Sequence, residues 1–159
     1  NTTSSGKASD SKNSSSMSLD EKQKLAEIRQ KYKLFKASYS VYESDYKEKL
    51  DSLKKQISDQ KKGLSNLEQE LQSNMALLLK YHDVYKDMVS KDYKLLEQKI
   101  EQEQLEVIKM KQTLTMLEEK KVRWEQEYTK AQLEYEARCL QYEKEITALS
   151  LDYTPKNGH

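Results

Sequence analysis

LAEIRQKYKLFKASYSVYESDY, residues 25–46, is the stretch that decides the fold. Leu25, Ile28, Tyr32, Phe35, Tyr39, Tyr42 and Tyr46 alternate steps of three and four, so they share one stripe of an α-helix and leave the charges to the other faces. A stripe of this kind is buried only against another helix. Tyrosine stands here where a coiled coil normally carries leucine, and the habit continues outside the quoted stretch, at Tyr85, Tyr93, Tyr128, Tyr135 and Tyr142.

Followed along the chain, the stripe becomes a seam with four irregularities. After Tyr46 an extra step of four leads to Leu50, Leu53, Ile57, Gln60, Leu64, Leu67 and Leu71; a second leads to Met75, Leu78, His82, Tyr85 and Val89. A third opens the run Tyr93, Leu96, Ile100, Glu103, Val107, Met110, Leu114, Leu117, Lys121, Trp124, Tyr128, Ala131 and Tyr135, and a fourth leads to Cys139, Tyr142, Ile146 and Leu149. Each such stutter locally unwinds a supercoil. Acidic residues placed four before lysines, as in Asp20/Lys24, Glu43/Lys47, Asp51/Lys55 and Asp87/Lys91, support a solvated helix face.

Composition agrees with long helices and argues against a globule. The hydrophobic share is 35%; without tyrosine and with glycine it falls to about 30%, well under the roughly 45–50% of globular domains. Between Leu19 and Leu151 about half of the residues are Ala, Glu, Lys, Leu or Arg, and Gly63 is the sole Gly or Pro there. Ser18 stands three before Glu21 in capping-box spacing and starts the helix, while Thr154, Pro155 and Gly158 prevent its continuation beyond Leu149 or Leu151. Unbroken, such a helix reaches ~195 Å at ~1.5 Å per residue. The expected fold class is therefore all-α: a long coiled-coil helix, dimeric, over 18–151, with a disordered Ser-rich linker at 1–17 and a flexible tail at 152–159. The start at Asn1, without Met and in low-complexity sequence, points to a segment of something longer.

Two charged seam positions suggest a strand direction. A parallel dimer sets Glu103 against Glu103 and Lys121 against Lys121, which is unfavourable in a partly desolvated seam. An antiparallel dimer centred near Gln112 sets Glu103 against Lys121 twice, and Val89 against Tyr135. The antiparallel form is favoured for a dimerisation rod at 75–149, whose seam residues are Leu78, Tyr85, Tyr93, Ile100, Glu103, Leu114, Lys121, Trp124, Tyr128, Tyr135 and Ile146. The Tyr-rich arm at 19–71 is left without an assigned mate. Its Tyr32, Phe35, Tyr39, Tyr42 and Tyr46 are core positions or a protein-docking surface, since aromatic surfaces anchor partners. A bend at Gly63, where Ser65 and Glu68 repeat the capping spacing, would fold the arm back; the seam running through Gly63 in phase favours a helical glycine.

Little else in the sequence points to chemistry. His82 is a lone seam histidine and His159 is terminal, so no metal site is expected, and Cys139 and Trp124 read as packing residues rather than cofactor contacts. No Gly-rich phosphate loop or nucleophile elbow occurs, and a rod offers no pocket for small-molecule substrates. The expectation is no enzyme, no cofactor and no catalytic residue. With 28 basic against 27 acidic residues, no global field draws the chain to nucleic acid or a membrane. Lys22, Lys24, Arg29, Lys31, Lys33 and Lys36 bias the helix start, but Asp20, Glu21 and Glu27 intervene, which argues against a basic-helix nucleic-acid binder. Without a membrane-length apolar run or secretory pattern, and with one cysteine, an intracellular setting, cytoplasmic or nuclear, is expected.

The functional expectation is a non-enzymatic scaffold or oligomerisation segment. It pairs with itself or with another coiled-coil protein, and spaces or tethers parts of a larger assembly of cytoskeletal or chromosomal type. The alternatives are a multi-helix adaptor that binds a protein through its tyrosine-rich arm and, below that, the basic-helix binder of nucleic acid.

Overall fold

The computed structural model describes residues 17–84 and 91–152. They form two helices, α1 over Leu19–Val84 and α2 over Lys91–Asp152, with no strand among the described residues. The expected tails at 1–17 and 152–159 lie outside the described residues apart from Met17 and Asp152. At the start of α1 the Ser18 hydroxyl accepts the Glu21 amide at 3.1 Å and the Ser18 carbonyl accepts the Lys22 amide at 3.0 Å. The return half of a capping box is not completed by Glu21 Oε2, which is buried and makes no hydrogen bond.

The all-helical expectation holds, and the single unbroken helix gives way to two that run in opposite directions. Gly63, the considered bend, is helical and half-buried; an added Cβ there would lie 3.0 Å from the Met110 methyl, so glycine lets α2 come close. The chain divides into two compact units: residues up to Tyr46 with those from Tyr128, and Lys47–Glu127.

In the second unit the apolar seam is narrow. Leu53 is the most completely buried side chain at 2% exposure, with Ile57, Leu64, Ile100 and Val107 also buried. Leu50, Leu67, Leu71, Leu78 and Tyr81 of α1, and Tyr93, Leu96, Met110, Leu114, Leu117 and Trp124 of α2, are half-buried along the same line. Gln60 Nε2 donates to the Met110 carbonyl at 3.2 Å, and Lys61–Glu118, Lys111–Glu68 and Lys99–Glu70 bridge the helices at 3.5–3.6 Å. These rim contacts are exposed, so they fix register more than they add stability. The expected step onto Met75 and His82 does not occur. Asn74 and Tyr81 turn inward instead, Met75 and His82 face out, and the three-four alternation runs unbroken from Tyr46 to Tyr81. An apolar count picks Met75 over Asn74; the deciding term is a hydrogen bond from Asn74 to Glu103.

In the first unit the seam is aromatic, with Leu25 and Tyr142 buried and Ile28, Tyr32, Phe35, Tyr39, Tyr46, Tyr128, Tyr135 and Ile146 half-buried. The first irregularity moves from Tyr46 to Tyr39. Glu43 takes the inward position and Tyr42 is 40% exposed, because the Glu43 carboxylate accepts the Tyr128 hydroxyl. The α1 seam thus steps four and four through Phe35, Tyr39 and Glu43, and the α2 seam steps four and four through Ala131, Tyr135 and Cys139. Both irregularities fall at one level, since Tyr39 stacks on Tyr135. Each helix takes the extra step where its partner does, and the facing stripes stay in phase.

Candidate functional site

The tyrosines of the first unit form a ladder at seven-residue spacing. Tyr32 stacks on Tyr142, Tyr39 on Tyr135 and Tyr46 on Tyr128, with ring centroids 5.3, 3.8 and 4.3 Å apart and planes within 18° of parallel. Seven residues forward on α1 correspond to seven back on α2. Phe35 sits between the first two rungs, against Tyr135 at 5.4 Å and Tyr142 at 5.7 Å. Rings tolerate such a seam because each carries a broad apolar face with the hydroxyl at its tip, which must find a partner or water.

Two of those tips have carboxylate partners, while the Tyr39 hydroxyl is buried without a hydrogen bond. Tyr32 donates to Glu143 at 2.7 Å and Tyr128 donates to Glu43. A carboxylate acceptor stabilises the protonated phenol, so the hydrogen bond to Glu143, then burial, then Cys139 raise the Tyr32 pKa above its ordinary value. The hydrogen bond to Glu43, followed by burial, does the same at Tyr128. Cys139, followed by burial, pushes Tyr135 up to about 12. Lys36 Nζ lies 4.1 Å over the Tyr32 ring and the Arg138 guanidinium 4.3 Å over Tyr142, covering the outer ring faces with cations.

The expected docking residues Tyr32, Phe35, Tyr39 and Tyr46 are therefore occupied within the chain, and Tyr42, although exposed, also lies against Tyr39 and Tyr128. Of the expected dimer-seam residues, Ile100 and Glu103 are buried, and Leu78, Tyr93, Leu114, Lys121, Trp124, Tyr128, Tyr135 and Ile146 are half-buried on the inter-helix face; Tyr85 lies outside the described residues. Lys121 pairs with Glu125 of its own helix at 3.7 Å, and Glu103 faces Asn74 of α1. Sequence reasoning missed Glu43, Asn74 and Tyr81, since two are polar and all three depend on which helix lies opposite.

The outward faces carry large apolar side chains. On α2 of the second unit, Leu105, Ile108, Met116 and Val122 are 59, 52, 67 and 52% exposed, beside an open groove of about 410 Å³ lined by Thr115, Glu118, Glu119, Val122, Arg123 and Gln126. Leu34 and Val41 of α1, and Leu133 and Leu140 of α2, are exposed seven residues apart in the first unit. Among the described residues no group of three or more His, Cys, Asp or Glu side chains is placed to hold a metal ion, and no helix is long and apolar enough to cross a membrane.

No family model, curated protein or solved structure matches this chain.

Proposed function

We propose that this chain is a non-enzymatic coiled-coil scaffold that dimerises with a second copy, antiparallel, and spaces or tethers components of a larger assembly. The observation that carries this reading is the outer stripe of α2. With the seam filled inside the chain, Leu105, Ile108, Met116 and Val122 still face out, and a water-exposed apolar line on a charged helix is where another helix gains by packing. Ile108 and Val122 lie symmetrically about Thr115. An antiparallel copy crossing there sets Ile108 against Val122 and Lys111 against Glu119, twice each, whereas a parallel copy sets Lys111 against Lys111.

Molar mass by sedimentation at the highest soluble concentration tests the proposal. The expected result is twice the chain mass for the native protein and a monomer of unchanged helicity for Ile108→Gln with Val122→Gln. A native monomer would sink the dimer, and a dimer indifferent to both substitutions would move its interface elsewhere. The adaptor reading draws on the exposed Leu34 and Val41 beside Tyr42. It is favoured if Leu34→Gln with Val41→Gln abolishes association and the α2 pair does not.

A further inference from the structure

The first unit fills its seam and still carries an apolar stripe on each outer side. Leu34 and Val41 of α1, and Leu133 and Leu140 of α2, are all more than half exposed, and the small, exposed Ala37 and Ala137 stand between the members of each pair. Leu34 and Val41 follow the seam residues Tyr32 and Tyr39 by two, while Leu140 and Leu133 precede Tyr142 and Tyr135 by two. Two residues turn an α-helix by about 200°, so both stripes face away from the seam, on opposite sides of the helix pair. The stacks of Tyr32 on Tyr142 and Tyr39 on Tyr135 put Leu34 level with Leu140 and Val41 level with Leu133.

We propose that copies of this chain join side by side through the first unit, the outer stripe of α1 in one copy packing antiparallel on the outer stripe of α2 in the next. The register of the internal seam then repeats outside it. Leu34 meets Leu140, Ala37 meets Ala137 and Val41 meets Leu133, and the two alanines let the helices come close at the middle of the contact. The occupant is a second copy because the exposed charges beside the two stripes are complementary. Lys31 and Lys33 flank the α1 stripe where Glu145 and Glu143 flank the α2 stripe, and Glu27 comes within about one turn of Lys144. Pairing like with like reverses the sign. Two α2 stripes set Lys130 against Lys144 twice, and two α1 stripes set Glu27 against Glu48 twice.

Such a contact joins two different surfaces and does not close on itself, because every added copy presents the same two stripes again. It covers about two turns of each helix, well below the ~1,000 Å² of a stable interface, so a pair held by it alone exchanges rapidly in dilute solution. Its effect is on copies that are already concentrated. It thus goes beyond the dimer proposed through Leu105, Ile108, Met116 and Val122, with which it shares no residue, and links copies past the pair.

Thiol trapping reads both the contact and its polarity. In a Cys139→Ser background, chains carrying Ala37→Cys are mixed with chains carrying Ala137→Cys under mild oxidation. The mixture should give about tenfold more interchain disulfide than either variant alone, since opposite charges face each other only in the mixed pair. One chain carrying both substitutions should give a series of products of increasing length, because its two new thiols lie on opposite sides. Equal linking in the mixture and in the separate variants, or a product that stops at two copies, would overturn the proposal. Leu34→Gln with Val41→Gln, at unchanged helical circular dichroism, should abolish the series, and an undiminished series would count equally against it. Ile108→Gln with Val122→Gln removes the other dimer contact and should leave the series in place. Its loss there would show that the first unit has no contact of its own, so the two proposals fail separately.

Discussion

Tyr39 and Tyr135 stack with ring centroids 3.8 Å apart and planes 13° from parallel, at the level where both helices take an extra step of four along their seams. A stutter on one helix alone would rotate its stripe away from the partner. Matched stutters keep the stripes facing, and the closest ring pair of the ladder lies where the match must hold. Tyr39→Ala is expected to destabilise the chain by about 2–4 kcal/mol, below the roughly 3–5 kcal/mol of a fully buried large aromatic because the ring is only half-buried. A double-mutant cycle of Tyr39→Leu with Tyr135→Leu, read by urea unfolding, should return a coupling of about 0.5–1.5 kcal/mol. Additive effects would mean that the stack contributes area and no specific pairing.

Alkaline titration should separate the tyrosines into classes. Tyr32 and Tyr128 are raised by their hydrogen bonds to Glu143 and Glu43, and Tyr135 is pushed up to about 12, against an ordinary 10.0. A folded value above the unfolded one means that the native state binds the phenolic proton more tightly. The contribution is complete below the unfolded value of about 10 and is lost as pH rises through the folded value. Phenolate absorbance should show a late-ionising class that coincides with loss of helical circular dichroism. Glu43→Gln should move Tyr128 back toward the ordinary value. A single class titrating as free tyrosine, with helicity intact, would contradict the hydroxyl contacts.

Gly63→Ala is expected to stabilise. Alanine is favoured over glycine inside a helix by about 0.8–1.0 kcal/mol. Its Cβ would meet the end of Met110 at 3.0 Å, a flexible methyl that can swing aside. A higher thermal midpoint is expected, whereas a lower one would show that Met110 is held in place by its neighbours.

Asn74→Ala removes the donor to Glu103 Oε1 and leaves that oxygen buried without a partner. The expected cost is about 1–3 kcal/mol, measured by chemical denaturation. Met75→Ala, one residue along at a 43% exposed position, should cost much less. Equal effects would restore Met75 to the seam and count against the inward turn of Asn74.

Apolar spacing marked most seam positions correctly because side chains buried between helices must recur at three and four. Leu53, Ile57, Leu64, Ile100 and Val107 could be read that way. Glu43 and Asn74 could not, since their inward position rests on the acceptor or donor that the opposite helix supplies, Tyr128 in one case and Glu103 in the other. One signal was present and unused. Tyr32, Tyr39 and Tyr46 are spaced by sevens, as are Tyr128, Tyr135 and Tyr142, so either triplet read backwards matches the other.

The sequence by itself determined that the described residues are helical and most of the stripe that each helix buries, because periodicity and the near absence of Gly and Pro act locally along one helix. Only the tertiary structure decided what covers the stripe. A seam specifies the shape and chemistry of its partner and not the partner's identity, so another chain and the other half of the same chain satisfy it equally well on paper. The intramolecular partner benefits from being tethered, as closing a chain on itself costs an entropy that grows only slowly with length while the effective concentration stays high. That is why the tyrosines of α1 meet those of α2, and why Glu103, read as facing Lys121, faces Asn74.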